Sequence, residues 1–299
     1  MNTVSAKGTV IRPVVEVVTS VQTLEGGGFP VRRPFPTARL SQVDPFLLFD
    51  HLGPVEWGPG EGIGAPDHPH RGFETVTYLL SGEMQHKDSA GNSGTLRPGD
   101  VQWMTAGAGV VHSELPSADF MKNGGTMNGF QIWVNLPARD KMSRPRYQDI
   151  PATRIPEGVS ADDKVKVRVI AGDSLGQSAV IETHTPIMYL HFTLKPGAVI
   201  VQPVPENYNA FAYVIHGELR AGDECRDVRE SQMVRFGGGG AVRLGVDEKA
   251  SGPVELLLLG GVPLGEPVER HGPFVMNTRD EILQAIRDYQ DGRMGNINF

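Results

Sequence analysis

The chain has 299 residues, 39% of them hydrophobic and 21% charged, which is enough apolar material for one large or two medium domains. Its 35 acidic side chains outnumber 28 basic ones, leaving −7, and the cations are scattered, which excludes broad affinity for a phosphate backbone and so direct nucleic-acid binding. The single cysteine, Cys225, excludes an intrachain disulfide, and no apolar run is long enough to span a bilayer as a helix.

The first residues, Met1–Lys7, lack a basic segment followed by an apolar run, so no signal peptide is expected and the cytoplasm is the default compartment. Val10–Val18 is the first candidate strand. Glu74–Leu80, Gly129–Asn135, Val165–Ala171, Met188–Leu194, Ala210–Ile215 and Val254–Leu259 follow. Many of these alternate apolar and polar residues at period two. The 37 glycines and 23 prolines punctuate them evenly, the pattern of an all-β barrel or sandwich. Trp103 and Met104 read as core. The polar stretch Ala138–Tyr147 reads as a linker, and Lys164-Val-Lys-Val-Arg168 as the wet face of a strand.

Helical periodicity is confined to the end of the chain. Thr278 with Glu281 three residues on makes a capping-box signature. Ile282, Ala285, Ile286 and Tyr289 then share one face, and Gly292 stands at the stop, so a helix is expected over about 279–291.

Chemistry concentrates in Asp67-His-Pro-His-Arg-Gly-Phe-Glu74. On extended backbone, residues i and i+2 face the same way, so His68 and His70 can aim two imidazoles at one point. His112-Ser-Glu114 obeys the same parity. Two such pairs on neighbouring strands would close a cage of three imidazoles and one carboxylate. Imidazole suits iron, zinc, copper and nickel, and the carboxylate biases toward Fe(II) or Mn(II). Four protein ligands leave positions for water or substrate. His51, His86, His184, His191, His216 and His271 lack such spacing and read as structural or surface residues.

The chain also echoes itself. Phe211-Ala-Tyr-Val-Ile-His-Gly-Glu218 repeats the texture of Thr75–Glu83, and Lys195-Pro-Gly197 loosely repeats Arg97-Pro-Gly99. A duplicated barrel is expected, with residues 1–137 as a metal-binding barrel, 138–150 as a linker and 151–299 as a second barrel ending in the helix.

Gly62, His68-x-His70 and Glu74 resemble the first motif of the cupin superfamily. Asp100–Glu114 resembles its second motif in modified form, with Thr105 where proline is usual and the histidine two residues late. That modified version is similar to the pirin family. Asp44-Pro-Phe-Leu-Leu-Phe-Asp50, Gln131-Ile-Trp-Val-Asn-Leu-Pro137 and His271-Gly-Pro-Phe-Val-Met-Asn-Thr278 extend the likeness over nearly the whole chain. The resemblance implies a bicupin fold, two antiparallel jelly-roll-like barrels, with metal in the first only. It implies iron, as Fe(II) or Fe(III), on His68, His70, His112 and Glu114, with Mn, Ni, Zn or Cu as substitutes in purified protein. Glu74 then falls outside the ligand set, in a supporting hydrogen bond or a buried ion pair, with Arg71 as a candidate partner.

Two functions follow from the resemblance. One is a quercetinase-type dioxygenase that opens a flavonol-like substrate with O2, Glu114 serving as catalytic base. The other is a redox-sensitive regulator that binds a transcription factor or a metabolic enzyme, which would allow a nuclear as well as a cytoplasmic location. A monomer without membrane attachment is implied in either case.

Overall fold

Strands dominate because β-branched and aromatic residues alternate between turn-forming glycines. The computed structural model describes residues 9–299, so the Met1–Lys7 segment lies outside the described residues. Two compact units emerge. One holds Val21–Ala152 with Leu264–Phe299; the other holds the segment ending at Ser20 with Thr153–Pro263.

In the first unit, a seven-stranded antiparallel sheet runs Arg146–Ile150, Val101–Thr105, Phe73–Ser81, Gly125–Asn135, Phe46–Trp57, Phe29–Phe35, Val21–Glu25. A four-stranded sheet runs Ala65–His70, Val110–Pro116, Met84–Asp88, Ser93–Leu96. The second unit repeats both. Its large sheet runs Val14–Thr19, Gln232–Phe236, Asn209–His216, Val254–Gly261, Ile187–Leu194, Val165–Ala171, Glu157–Val159. Its small sheet runs Val199–Pro203, Ala241–Gly245, Glu218–Ala221, Arg226–Arg229.

The duplication is thus a repeated strand order. Phe73–Ser81 and Asn209–His216 hold the same place in their sheets, and each runs into a glycine, Gly82 or Gly217, at φ +87°. A side chain with a Cβ is strained there, which is why both turns need glycine. The Lys195-Pro-Gly197 echo is not equivalent: it follows Ile187–Leu194, whose counterpart is Phe46–Trp57. The true counterpart of Gly99 is Ser231, a non-glycine at φ 63° whose N–H donates to Val214 as that of Gly99 donates to Leu79.

The unit boundaries differ from the expected division at residues 137 and 150. Val14–Thr19 lies in the second unit because it pairs with Gln232–Phe236. The expected linker is structured: Arg146–Ile150 pairs with Val101–Thr105 as the corresponding edge of the first unit. Lys141 is only 1% exposed, its ammonium donating to the carbonyls of Gly72 and Val275 and to Asn135 Oδ1.

The C-terminal helix, Arg279–Gln290, also belongs with the first unit. Its capping box forms as expected, with Thr278 and Glu281 bonded reciprocally. Ile282 and Ala285 bury against Val111, Phe274, Met276 and Met294. Full burial of side chains of this kind contributes roughly 1.5–3 kcal/mol each for the larger ones. Val111 directly precedes His112, so the helix supports a strand that carries a candidate ligand. Among the described residues, no helix is long and apolar enough to cross a membrane.

Candidate metal centre

The strands Ala65–His70 and Val110–Pro116 pair antiparallel, with His112 directly opposite His68 and Val110 opposite His70. Strand parity puts His68 and His70 on one face, and the register brings His112 to them. Ring centroids are 4.7 Å apart for His68 and His70, 4.4 Å for His68 and His112, and 4.9 Å for His70 and His112. The Nε2 atoms of His68 and His70 face each other at 3.0 Å. His68 Nδ1 lies 2.7 Å from the Pro66 carbonyl, which fixes the proton there and leaves Nε2 a lone pair.

His112 is fully buried, and neither ring nitrogen has a hydrogen-bond partner. Burial pushes the pKa of both His70 and His112 well below the ordinary range; the neighbouring imidazoles push the same way. Neutral imidazoles converging on one point, with a buried nitrogen unpaired, match the donor state that a divalent ion requires. Their ligand atoms all lie within 4.8 Å of one another, so the three histidines could hold a metal.

Glu114 stands apart from that trio. A bulge between His112 and Glu114 shifts the register, and the carboxylate faces the same cavity. The Thr77 hydroxyl lies 2.9 Å from Glu114 Oε1 and 2.8 Å from Gln131 Oε1. Glu74 lies outside the trio and makes the hydrogen bond of the first alternative, not the ion pair with Arg71. Glu74 Oε1 accepts from the Thr105 hydroxyl at 2.7 Å. Arg71, between the strands Ala65–His70 and Phe73–Ser81, turns instead to Asp288 Oδ2 at 2.7 Å and the Ala108 carbonyl at 2.6 Å.

The cavity measures about 570 Å³, within the usual range for small-molecule sites. Phe29, Leu48, Leu52 and Met84 supply apolar wall; His68, His70, Glu114 and Gln131 supply polar groups. Trp133 packs on Phe73 at 4.4 Å and meets the His70 ring edge-on at 5.3 Å. Two lining carboxylates are held by Arg33, which grips Asp50 with two hydrogen bonds, 2.7 and 2.5 Å, and reaches Glu25 at 2.5 Å. Burial pushes the Asp50 carboxyl up to about 6, whereas Arg33 is held above its ordinary range by Asp50 and Glu25 against its own burial. The two-pronged geometry is that of an ion pair, and both partners are charged at neutral pH.

The other histidines stay out of the trio. His51 stacks on Phe130 at 4.6 Å, with Nε2 2.8 Å from Asn128 Oδ1. His86 stacks on Tyr147, 3.6 Å from Asp149. His271 and His216 are exposed, and His184 and His191 belong to the second unit. Trp103 and Met104 are core, as expected. Sequence reasoning missed Gln131, Trp133 and Arg270 as cavity residues, and Thr77 as the partner of Glu114. Gln131 and Trp133 carried a usable signal, their shared parity on one strand; Thr77 and Arg270 carried none.

A family model described as Pirin matches residues 28–134, and one described as the pirin C-terminal cupin domain matches 189–295. A pirin-like protein of Solanum lycopersicum is 46% identical over 95% of this chain and 93% of its own length. Pirin of Homo sapiens is 42% identical over 93% and 92%. A solved structure of quercetin 2,3-dioxygenase from Acinetobacter baumannii aligns at TM-score 0.89 and 37% identity, covering 97% of this chain and 100% of that one.

Proposed function

The chain belongs to the pirin family, and from that premise we propose that it is an iron-dependent dioxygenase of the quercetinase type. The observation that carries the proposal is the convergent trio His68, His70 and His112, two of which, His68 and His70, line a cavity large enough for a flat aromatic. Likeness to the quercetin dioxygenase structure supports the same reading.

His68, His70 and His112 would hold the metal, with Glu114 as the fourth ligand. Bound there, a divalent iron supplies Lewis acidity toward a substrate oxygen. The apolar walls exclude water and favour a planar ring. Glu114 takes the proton of the flavonol hydroxyl onto a carboxylate oxygen. Thr77, 2.9 Å from Oε1, orients that carboxylate and loses this contact when the oxygen turns to the substrate. The net reaction adds O2 across the heterocycle, giving the ring-opened ester and one CO.

The test is anaerobic ferrous reconstitution with metal analysis, then O2 uptake and CO release with quercetin, on wild type and Glu114→Ala. One iron per chain, with uptake that the substitution abolishes, is the expected result. One iron per chain without uptake would refute the enzymatic reading and favour the regulatory one.

A further inference from the structure

The proposed chemistry leaves Arg270 without a task. It lies on the Glu269–His271 strand and lines the cavity that holds His68, His70 and Glu114. Its guanidinium carbon sits 4.6 Å over the Trp133 ring. The edge of that ring system meets His70 at 5.3 Å, so one indole separates this cation from the histidine trio. The carboxylates on this wall, Glu25 and Asp50, are engaged by Arg33. Among the described residues, Arg270 forms no ion pair, and the charges that act on it are those of Arg33, Glu25 and Asp50. Burial and then Arg33 lower its pKa, against Glu25 and Asp50, which raise it, and the side chain keeps an exposed face at the cavity.

A guanidinium held flat against an indole is fixed in orientation, with its N–H edges free to donate. An acidic group on a ligand would gain ion-pair hydrogen bonds from this fork that a neutral polyphenol cannot. We propose that Arg270 selects the ligand: it pairs with an acidic group on a flat aromatic whose hydroxyl oxygen, at the opposite end, is directed at His68, His70 and His112. The preferred ligand class is therefore an aromatic acid with a metal-chelating hydroxyl remote from the acid. This inference rests on the reading of the trio as a metal site that admits an outside ligand.

The probes are 3,4-dihydroxybenzoate and its methyl ester, which share the chelating diol and differ in charge at the other end. Both are titrated calorimetrically into iron-loaded and iron-free protein at about 50 mM salt, where screening is modest. In iron-loaded wild type the acid is expected to bind about tenfold tighter than the ester, the scale of one charge-assisted contact. Arg270→Gln should bring that ratio to about one, and Arg270→Lys should keep part of it. Equal binding of acid and ester in wild type, or an unchanged ratio in Arg270→Gln, overturns the role of Arg270. Ester that binds only to iron-loaded protein shows the metal reading intact, so the ratio then speaks to Arg270 alone. Failure of the ester to bind iron-loaded protein overturns the metal reading and this inference with it.

Discussion

Replacing Arg71 with methionine tests whether the C-terminal helix anchors the loop that follows His70. Arg71 is 5% exposed. Its Nη1 donates to Asp288 Oδ2 at 2.7 Å and its Nε to the Ala108 carbonyl at 2.6 Å. One side chain therefore ties the helix to the turn that leads into the strand of His112. Burial pushes the Asp288 carboxyl up, but hydrogen bonds from Arg71, Gln284 and Arg293 outweigh it and hold the group down at about 2. Methionine replaces the aliphatic stem and leaves the Ala108 carbonyl without its guanidinium donor. Removing one partner of a buried ion pair costs roughly 3–5 kcal/mol. Asp288 keeps Gln284 and Arg293, so we expect the low end, about 3 kcal/mol. Trp57, Trp103 and Trp133 are the three tryptophans and all lie in this unit, so tryptophan fluorescence during urea unfolding reports on it selectively. Arg71→Met, Asp288→Asn and the double substitution form a cycle with an expected coupling of at least about 1 kcal/mol. A loss below about 1 kcal/mol for Arg71→Met, or effects that simply add, would refute the anchoring argument.

His112→Ala removes the ligand that faces His68 across the strand pair, and iron content should fall to a small fraction of one per chain. His216→Ala, on the surface of the other unit, should retain full iron; equal loss in both would sink the assignment of metal to the first unit. His51 offers a pH signature in the metal-free chain. Its pKa is lowered to about 4, by burial first, against the Asn128 hydrogen bond that raises it. The unfolded chain takes up that proton near pH 6.5 and the folded chain resists it to about 4. Its contribution is therefore complete above about 6.5 and is lost as pH falls from there toward 4. Between pH 8 and 5 this amounts to about 2 kcal/mol. His51→Gln should show correspondingly less acid destabilisation, and an unchanged pH profile would refute the buried neutral imidazole.

What could be read from the residues was whatever depends on short spacing. His68 and His70 share a face because parity on a strand is local, and Thr278 caps its helix through a contact three residues long. The meeting of His112 with His68 needed only that two strands pair. The errors arose where contacts join distant parts of the chain. Arg71 found Asp288 rather than Glu74, across 217 residues. The edge strand of each unit came from outside the expected boundary, since texture identifies a strand but not its partner. Arg270 reaches the cavity from the C-terminal segment, and no local pattern announces that.

The division of the chain between its units sets an order of events during synthesis. The unit with the histidine trio draws on Leu264–Phe299, which leave the ribosome after the rest of both units. The other unit has all its parts once Pro263 has emerged. During translation, the strands that carry the histidines must therefore wait, after they emerge, for the helix that will cover Val111. For the same reason a fragment cut at residue 150 would contain every histidine of the trio yet lack Arg270, Asp288 and the helix itself.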